Sequence, residues 1–302
     1  MDEQLVSIVI PTFNCAHFLS RALKSVLDQT YTNWEALVID NHSIDNTDDV
    51  VRSFGDERIK LFKVHNQGVI AVSRNLGIRE ATGRWVAFLD ADDWWKPCKL
   101  ELSVQALGKD ADFVYHDLLR AGPMPHKLLA RRTIRSRKLR YPVYKNLVKF
   151  GNALLNSSVV VRRDLLVNVG GLSENPRLVA AEDFECWLRI AHLTDRFYRI
   201  PGAHGYYWIG NTNTSSSGRT LVCLSELRDH YLMSSESGFE SYSPAWLSFA
   251  LAKANYEVCD YDACYAELQR LWATRQVNGW IQIKAIFLGM LLLGRRFANT
   301  KA

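Results

Sequence analysis

"RWVAFLDADDWW", residues 84–95, changes character in its middle. Its first half is a continuous apolar run of the kind that forms a buried strand. It then sets Asp90, Asp92 and Asp93 almost side by side and closes on Trp94 and Trp95. Carboxylates this close repel one another and favour no regular structure. The strand is therefore predicted to stop at Asp90, with the acids crowded at its carboxyl end.

Toward the N-terminus the same strand signal recurs. Residues 6–14, "VSIVIPTFN", form a β-branched apolar run broken by Pro11. Residues 34–40, "WEALVID", and residues 59–64, "IKLFKV", read as two more strands. Between them lie helical patterns. Phe18, Leu19, Ala22, Leu23, Val26 and Leu27 recur at helical spacing, "NHSIDNTDDVV" is a polar loop entering a second helix, and residues 69–81 are a third. Regular alternation with short connections predicts an α/β fold, a mostly parallel Rossmann-like sheet with helices on both faces. Such sheets bind ligands beyond the carboxyl ends of their strands. Residues 12–14, Asp40 and Asp90 to Asp93 all fall at that edge.

Downstream the pattern loosens. A helix over residues 97–107 and the strand "DFVYHDLL" are expected, then a long basic excursion. From Leu118 to Arg163 there is no Asp or Glu. "NSSVVVRRDLL" reads as a strand entering a helix, and a further helix carries Glu182 and Asp183 at its start. "RFYRIPGAHGYYWIG" reads as strand, turn, strand. After Leu221 the composition turns helical, with "WLSFALAKANYEV" and "DACYAELQRLWATR" joined by a turn. The expected division is a catalytic domain over 1–220 and a C-terminal helical extension over 221–302.

The bulk numbers bound the function. The 302 residues are 48% hydrophobic and 23% charged, enough for a full core, and the net charge of +5 is too small to imply nucleic acid. Six scattered cysteines without a CxxC pair read as free thiols in a reducing compartment. The acidic "MDEQ" start runs directly into a strand, unlike a signal peptide, which points to the cytoplasm. A dinucleotide oxidoreductase is disfavoured, because "IPTFNCAHF" lacks the glycines of a pyrophosphate turn. A nucleotidyltransferase would want a basic glycine-rich loop there, which is also missing.

Asp90-Ala91-Asp92 at a strand end fits a hard divalent cation held by one or two carboxylates and the phosphates of a nucleotide. The bland alternative is a solvated acidic turn with Asp93 capping the next helix. Together, "SIVIPTFN", "LVIDNHSIDNT", "NQGVIAVSRNLGIREATGRWVAFLDADD" and "AAEDFECWLRIA" resemble the family 2 glycosyltransferases, an inverting family with the GT-A fold. The likeness runs over about residues 5–210. It implies transfer of a sugar from a nucleotide-diphosphate donor, typically a UDP-sugar, to a saccharide or lipid-linked saccharide in surface glycan synthesis.

By the same resemblance Pro11, Thr12 and Asn14 would lie at the nucleotide base and ribose, and Asp40 would accept from the base. Ser43 and Asp45 match the following polar loop, and Arg74 and Asn75 the helix beneath the nucleotide. Asp90 and Ala91 would contact ribose or sugar, Asp92 would ligate Mn2+ or Mg2+, and Asp183 would be the general base. Glu182 beside it and Trp187, one helical turn on, would touch the acceptor, or Trp187 would be core.

The chain departs from the family where "YYWIG" places Trp208 and Gly210 at positions that often hold Arg and His. His204, Arg219, or the metal with Arg74 would then face the diphosphate. The basic segment and the apolar tail over residues 281–294, flanked by Arg295 and Arg296, suggest peripheral contact with the cytoplasmic face of a membrane. A helix packed on the protein is the bland alternative. A transferase-like domain that binds nucleotide or glycan without turnover is the rival from a different class.

Overall fold

The apolar runs around residue 84 become the centre of one sheet. In the computed structural model, which describes residues 4–122, 133–210, 216–232, 243–274 and 279–299, β1 (Val6–Thr12) pairs in parallel with β2 (Trp34–Asp40). β2 pairs in parallel with β3 (Ile59–Lys63), and β1 with β4 (Trp85–Phe88). Every residue of β1, β2 and β4 is buried, as a parallel sheet covered on both faces requires. The helices between them are α1 (Ala16–Leu27), α2 (Thr47–Ser53) and α3 (Ile70–Glu80). Alternation along β1 assigns the faces. Val6, Ile8 and Ile10 join Leu19, Ala22, Leu23 and Val26 of α1 in the main core. Val9 points the other way, toward Gly77 of α3. A Cβ on Gly77 would lie 2.5 Å from Val9, so the close approach of α3 needs glycine.

Beyond β4 the sheet becomes mixed. β5 (Trp94–Trp95), α4 (Lys99–Leu107), β6 (Phe113–Ala121), β7 (Thr133–Ile134), α5 (Val143–Phe150), β8 (Val160–Arg162), α6 (Arg163–Asn168), α7 (Glu182–Leu193) and β9 (Phe197–Trp208) follow. β8 lies antiparallel between β4 and β6, and β9 runs parallel to β6 and antiparallel to β5. The order is β3-β2-β1-β4-β8-β6-β9-β5, with β7 on β6. The α/β class stands, with parallel pairing concentrated in the first four strands.

Two expectations change. The stretch read as one basic excursion contains β7 and α5, while β8 and α6 are the expected strand entering a helix. The stretch read as strand, turn, strand is the single strand β9, which shifts register against β6 near its middle and takes up Gly202 at φ +90°.

The chain divides into two compact units, not at one cut near residue 220. The first is Met1–Leu139, Ala153–Glu174 and Arg189–Asn213, and it holds the whole sheet. The second is Arg140–Asn152, Asn175–Leu188 and Thr214–Ala302. It contains α5, the start of α7, α8 (Ser217–Leu227), α9 (Ala245–Glu257), α10 (Tyr261–Ala273) and α11 (Gly279–Asn299). α9 and α10 are the expected helix pair, and Asp260 in their turn accepts from Ala263 N–H at 3.0 Å to cap α10. Ala252, Cys264, Leu268, Leu271, Ala285, Leu288 and Leu292 form a core among α9, α10 and α11. All six cysteines are free thiols.

Candidate active site

At the carboxyl ends of β1 and β2, two loops are tied into one another. Pro11 and Thr12 end β1 in buried positions, and Asn14 takes up a left-handed φ of +49°. Its N–H donates to Ser43 Oγ at 2.8 Å, and its Oδ1 accepts from Ile44 N–H at 2.9 Å. Asp45 accepts from Ala16 N–H at 3.0 Å. Asp40 is wholly buried, and its carboxylate accepts from the Ser43 N–H and hydroxyl and from Lys63 Nζ at 2.6 Å. Three protein donors thus take up most of the roughly four acceptor sites of the carboxylate. Asp40, which the resemblance sets at the base, also shapes the loop that carries Ser43.

At the end of β4 the acids gather as expected. Asp90 Oδ1 pairs with Arg74 Nη2 at 2.7 Å and accepts from Asn156 Nδ2 at 3.2 Å. Arg74 thus reaches the site by way of Asp90. Ala91 is buried in the core. Asp92 is half-buried, and burial, then the charge of Asp90, push its carboxyl up to about 6. Asp93 is buried deeper. Its Oδ1 accepts from Trp208 N–H at 2.8 Å, while Oδ2 has no partner in hydrogen-bond geometry. Burial and both neighbouring aspartates raise its carboxyl well above the usual range.

Arg21 of α1 answers this charge, and the sequence did not single it out. Its Nη2 donates to the Asp92 carbonyl at 2.9 Å. Its guanidinium lies 3.6 Å from the Trp94 ring centroid and 4.9 Å from that of Trp208. Burial lowers its pKa, and the charges of Asp92 and Asp93 oppose that. Trp208 also packs on Phe18, with ring centroids 5.2 Å apart. The residue that replaces the family's arginine thus packs on one supplied by α1. His204 does not stand in for it: its Nε2 lies 2.8 Å from the Pro201 carbonyl.

Other expected residues lie elsewhere. Asn75 is buried and faces a loop: Nδ2 donates to the Leu172 carbonyl and Glu174, both at 2.8 Å, and Oδ1 accepts from Leu172 N–H. Gly171, at φ +77°, passes so close that a Cβ would sit 2.5 Å from Asn75 Oδ1. Asn75 is a strut for that loop, not a donor contact. Trp187 is fully buried, so the core alternative holds and the acceptor platform does not.

Glu182, Asp183, Trp187 and Arg219 belong to the second unit. Glu182 is buried and accepts from Ala180 N–H at 2.7 Å, while Asp183 is half-buried at the start of α7. Burial, then the charge of Glu182 and, by less, that of Asp183, push the Cys223 thiol up to about 11.

Among the described residues, no three His, Cys, Asp or Glu side chains converge tightly enough to hold a metal by themselves. Asp92 fits a different arrangement. It is a desolvated carboxylate at a strand end, beside two others, and would share a hard cation with phosphate oxygens.

The Glycosyl transferase family 2 profile matches residues 7–163, which run from β1 through β8. A UDP-Glc:alpha-D-GlcNAc-diphosphoundecaprenol beta-1,3-glucosyltransferase of Escherichia coli, WfgD, is 37% identical over 193 residues, 63% of this chain and 71% of that protein. Staphylococcus aureus TarS, solved with UDP-GlcNAc, superposes at a TM-score of 0.59 and 15% identity over 89% of this chain and 81% of its own. A mannosyltransferase from Pyrobaculum calidifontis, solved with GDP-Man and Mn2+, superposes at 0.57 and 18% identity over 98% and 80%. The profile covers more than half of the chain and includes both the Ser43 loop and the Asp90 to Asp93 turn, and so the chain belongs to glycosyl transferase family 2 and is a glycosyltransferase.

Proposed function

We propose that the enzyme is an inverting, metal-dependent transferase that moves a sugar from a UDP-sugar to a saccharide hydroxyl, the acceptor being lipid-linked in surface glycan synthesis. The observation that carries this reading is the Asp90-Ala91-Asp92 turn at the end of β4, where a half-buried Asp92 sits among carboxylates and beside Arg21. The donor and acceptor classes are supported by the relatives, since WfgD is named for a UDP-Glc donor and a diphosphoundecaprenol acceptor. TarS binds UDP-GlcNAc, and Mn2+ accompanies GDP-Man in the Pyrobaculum enzyme.

Asp92 would hold Mn2+ or Mg2+, which when bound neutralises charge on a departing diphosphate. Asp90, oriented by Arg74 and Asn156, would accept from ribose or sugar hydroxyls. The Asn14 and Ser43 loops would form the wall at the nucleoside. Asp183 would take the proton of the acceptor hydroxyl as it attacks the anomeric carbon, the opposite face carrying the leaving group.

The test is nucleotide release from a panel of UDP-, GDP- and dTDP-sugars with Mn2+ and a lipid-linked saccharide. The expected result is turnover of one UDP-sugar. Asp92→Asn should lose metal-dependent donor binding as well as turnover. Asp183→Asn should keep donor binding and lose turnover by about 100-fold or more. Metal-dependent nucleotide binding without turnover on any acceptor would instead favour a non-catalytic binding domain. Turnover undiminished in Asp92→Asn would remove the metal role.

A further inference from the structure

α11 is apolar on two opposite faces. Ala285, Leu288 and Leu292 are buried in the core shared with α9 and α10, and Ile281 packs against it. On the other side Ile283, Ile286, Phe287, Met290 and Leu291 are exposed, with Ile283 at 61% and Phe287 at 60%. At 3.6 residues per turn these five occupy roughly 140° of the helix circumference, centred opposite the buried row. A single exposed apolar side chain is ordinary, but five contiguous ones mark a surface that meets something.

The edges of the stripe say what it meets. Gln282 and Lys284 are exposed on its two flanks. From Gly279 to Asn299 the helix contains no Asp or Glu, while Arg295 and Arg296 stand in its last turns. Among the described residues no helix is long and apolar enough to cross a membrane. A helix with an apolar stripe, a lysine on one edge and no acids suits an anionic lipid interface, with the apolar face below the headgroups and the cation among them. A second copy of the chain suits it poorly, because α11 has no Asp or Glu to offer the Lys284 of a copy.

We infer that α11 docks in the plane of an anionic membrane surface through Ile283, Ile286, Phe287, Met290 and Leu291. The inference deepens the reading of a lipid-linked acceptor and rests on it for its purpose, but the experiment needs neither donor nor acceptor. Failure here would leave the transfer reading standing, and failure of transfer would leave this one standing.

The full chain is sedimented with vesicles of phosphatidylglycerol mixed with phosphatidylcholine, and with phosphatidylcholine alone. The expected result is binding to the anionic vesicles that weakens as salt is raised. Phe287→Ser with Met290→Ser should reduce that binding about tenfold or more, with melting curve and donor turnover unchanged. Lys284→Glu should weaken binding to anionic vesicles and flatten its salt dependence, which tests the same contact without touching the stripe. Absence of binding to anionic vesicles, or equal binding of wild type and the double serine variant, would overturn the inference. So would a wild-type dimer that the double serine variant converts to monomer.

Discussion

Three carboxylates at one turn need positive charge nearby, and two guanidinium groups supply it: Arg74 from α3 at Asp90, and Arg21 from α1 at the Asp92 carbonyl. The Arg21 guanidinium lies 3.6 Å from the Trp94 ring centroid and 4.9 Å from that of Trp208, and a planar guanidinium stacks on indoles in a way that a lysine does not copy. Arg21→Ala is expected to weaken metal-dependent donor binding about tenfold, the scale of a charge-assisted hydrogen bond, with a smaller effect on kcat. Arg21→Lys should recover only part of this. Donor titration by fluorescence checks it, and equal affinities for wild type and both variants would remove Arg21 from the site. The acids were legible in the sequence because they interrupt an apolar run at a predicted strand end. Arg21 was not, since it lies among Leu19, Ala22 and Leu23 on an amphipathic helix, where an arginine ordinarily serves the solvent face. Asn75 was misread for a related reason, and of the two readings of Trp187 the core one holds. A motif names a position, but only packing decides whether the side chain turns to the ligand or to the neighbouring chain.

At the scale of elements, the parallel half of the sheet was readable because each strand is buried on both faces and therefore apolar without interruption. β7 was not, because a strand of two residues has no period to detect, whereas the three apolar residues before Arg162 were enough to mark β8. The parallel half is also pinned at the edge opposite the site by one residue. Glu35 of β2 accepts from Ser7 Oγ of β1 at 2.7 Å, from Lys60 Nζ of β3 at 2.9 Å, and from the Thr82 N–H and hydroxyl ahead of β4 at 2.8 and 2.7 Å. Burial by itself would raise its carboxyl, but the bonds from Thr82, Ser7 and Lys60 outweigh that and hold it down to about 2. The folded pKa lies below the unfolded one, so the stabilisation is complete above about pH 4.5 and is lost as pH falls through about 2. With solvent screening through its half-exposed partner Lys60 allowed for, Glu35→Gln should cost ~2 kcal/mol at pH 7. Urea unfolding at pH 7 and near pH 2 checks this: the gap between variant and wild type should close at the acid end. A gap of constant size would mean that the Glu35 charge contributes nothing.

At the scale of the molecule, the division into units was not legible, because a compact unit assembled from three separate stretches leaves no boundary in composition. Trp246 of α9 shows how those stretches are joined within the second unit. Its Nε1 donates to the Val148 carbonyl of α5 at 2.8 Å, and its ring lies against Gly151, where a Cβ would come within 2.9 Å. The same ring meets Phe184 edge-on at 5.8 Å, and Phe184 is the residue after Asp183. One indole therefore touches segments 140–152 and 175–188 from the C-terminal helices. Trp246→Ala should destabilise the second unit by about 2–4 kcal/mol, and a chain ended at residue 220 should leave both segments without their partner. Limited proteolysis checks both: cleavage should quicken within 140–152 and 175–188 while the β1 to β4 region stays resistant. Because Phe184 carries Asp183 at its side, Trp246→Ala should lower kcat and leave donor affinity at the β4 edge unchanged. A protease-resistant 1–220 fragment with full turnover would show that the C-terminal helices have no part in holding Asp183.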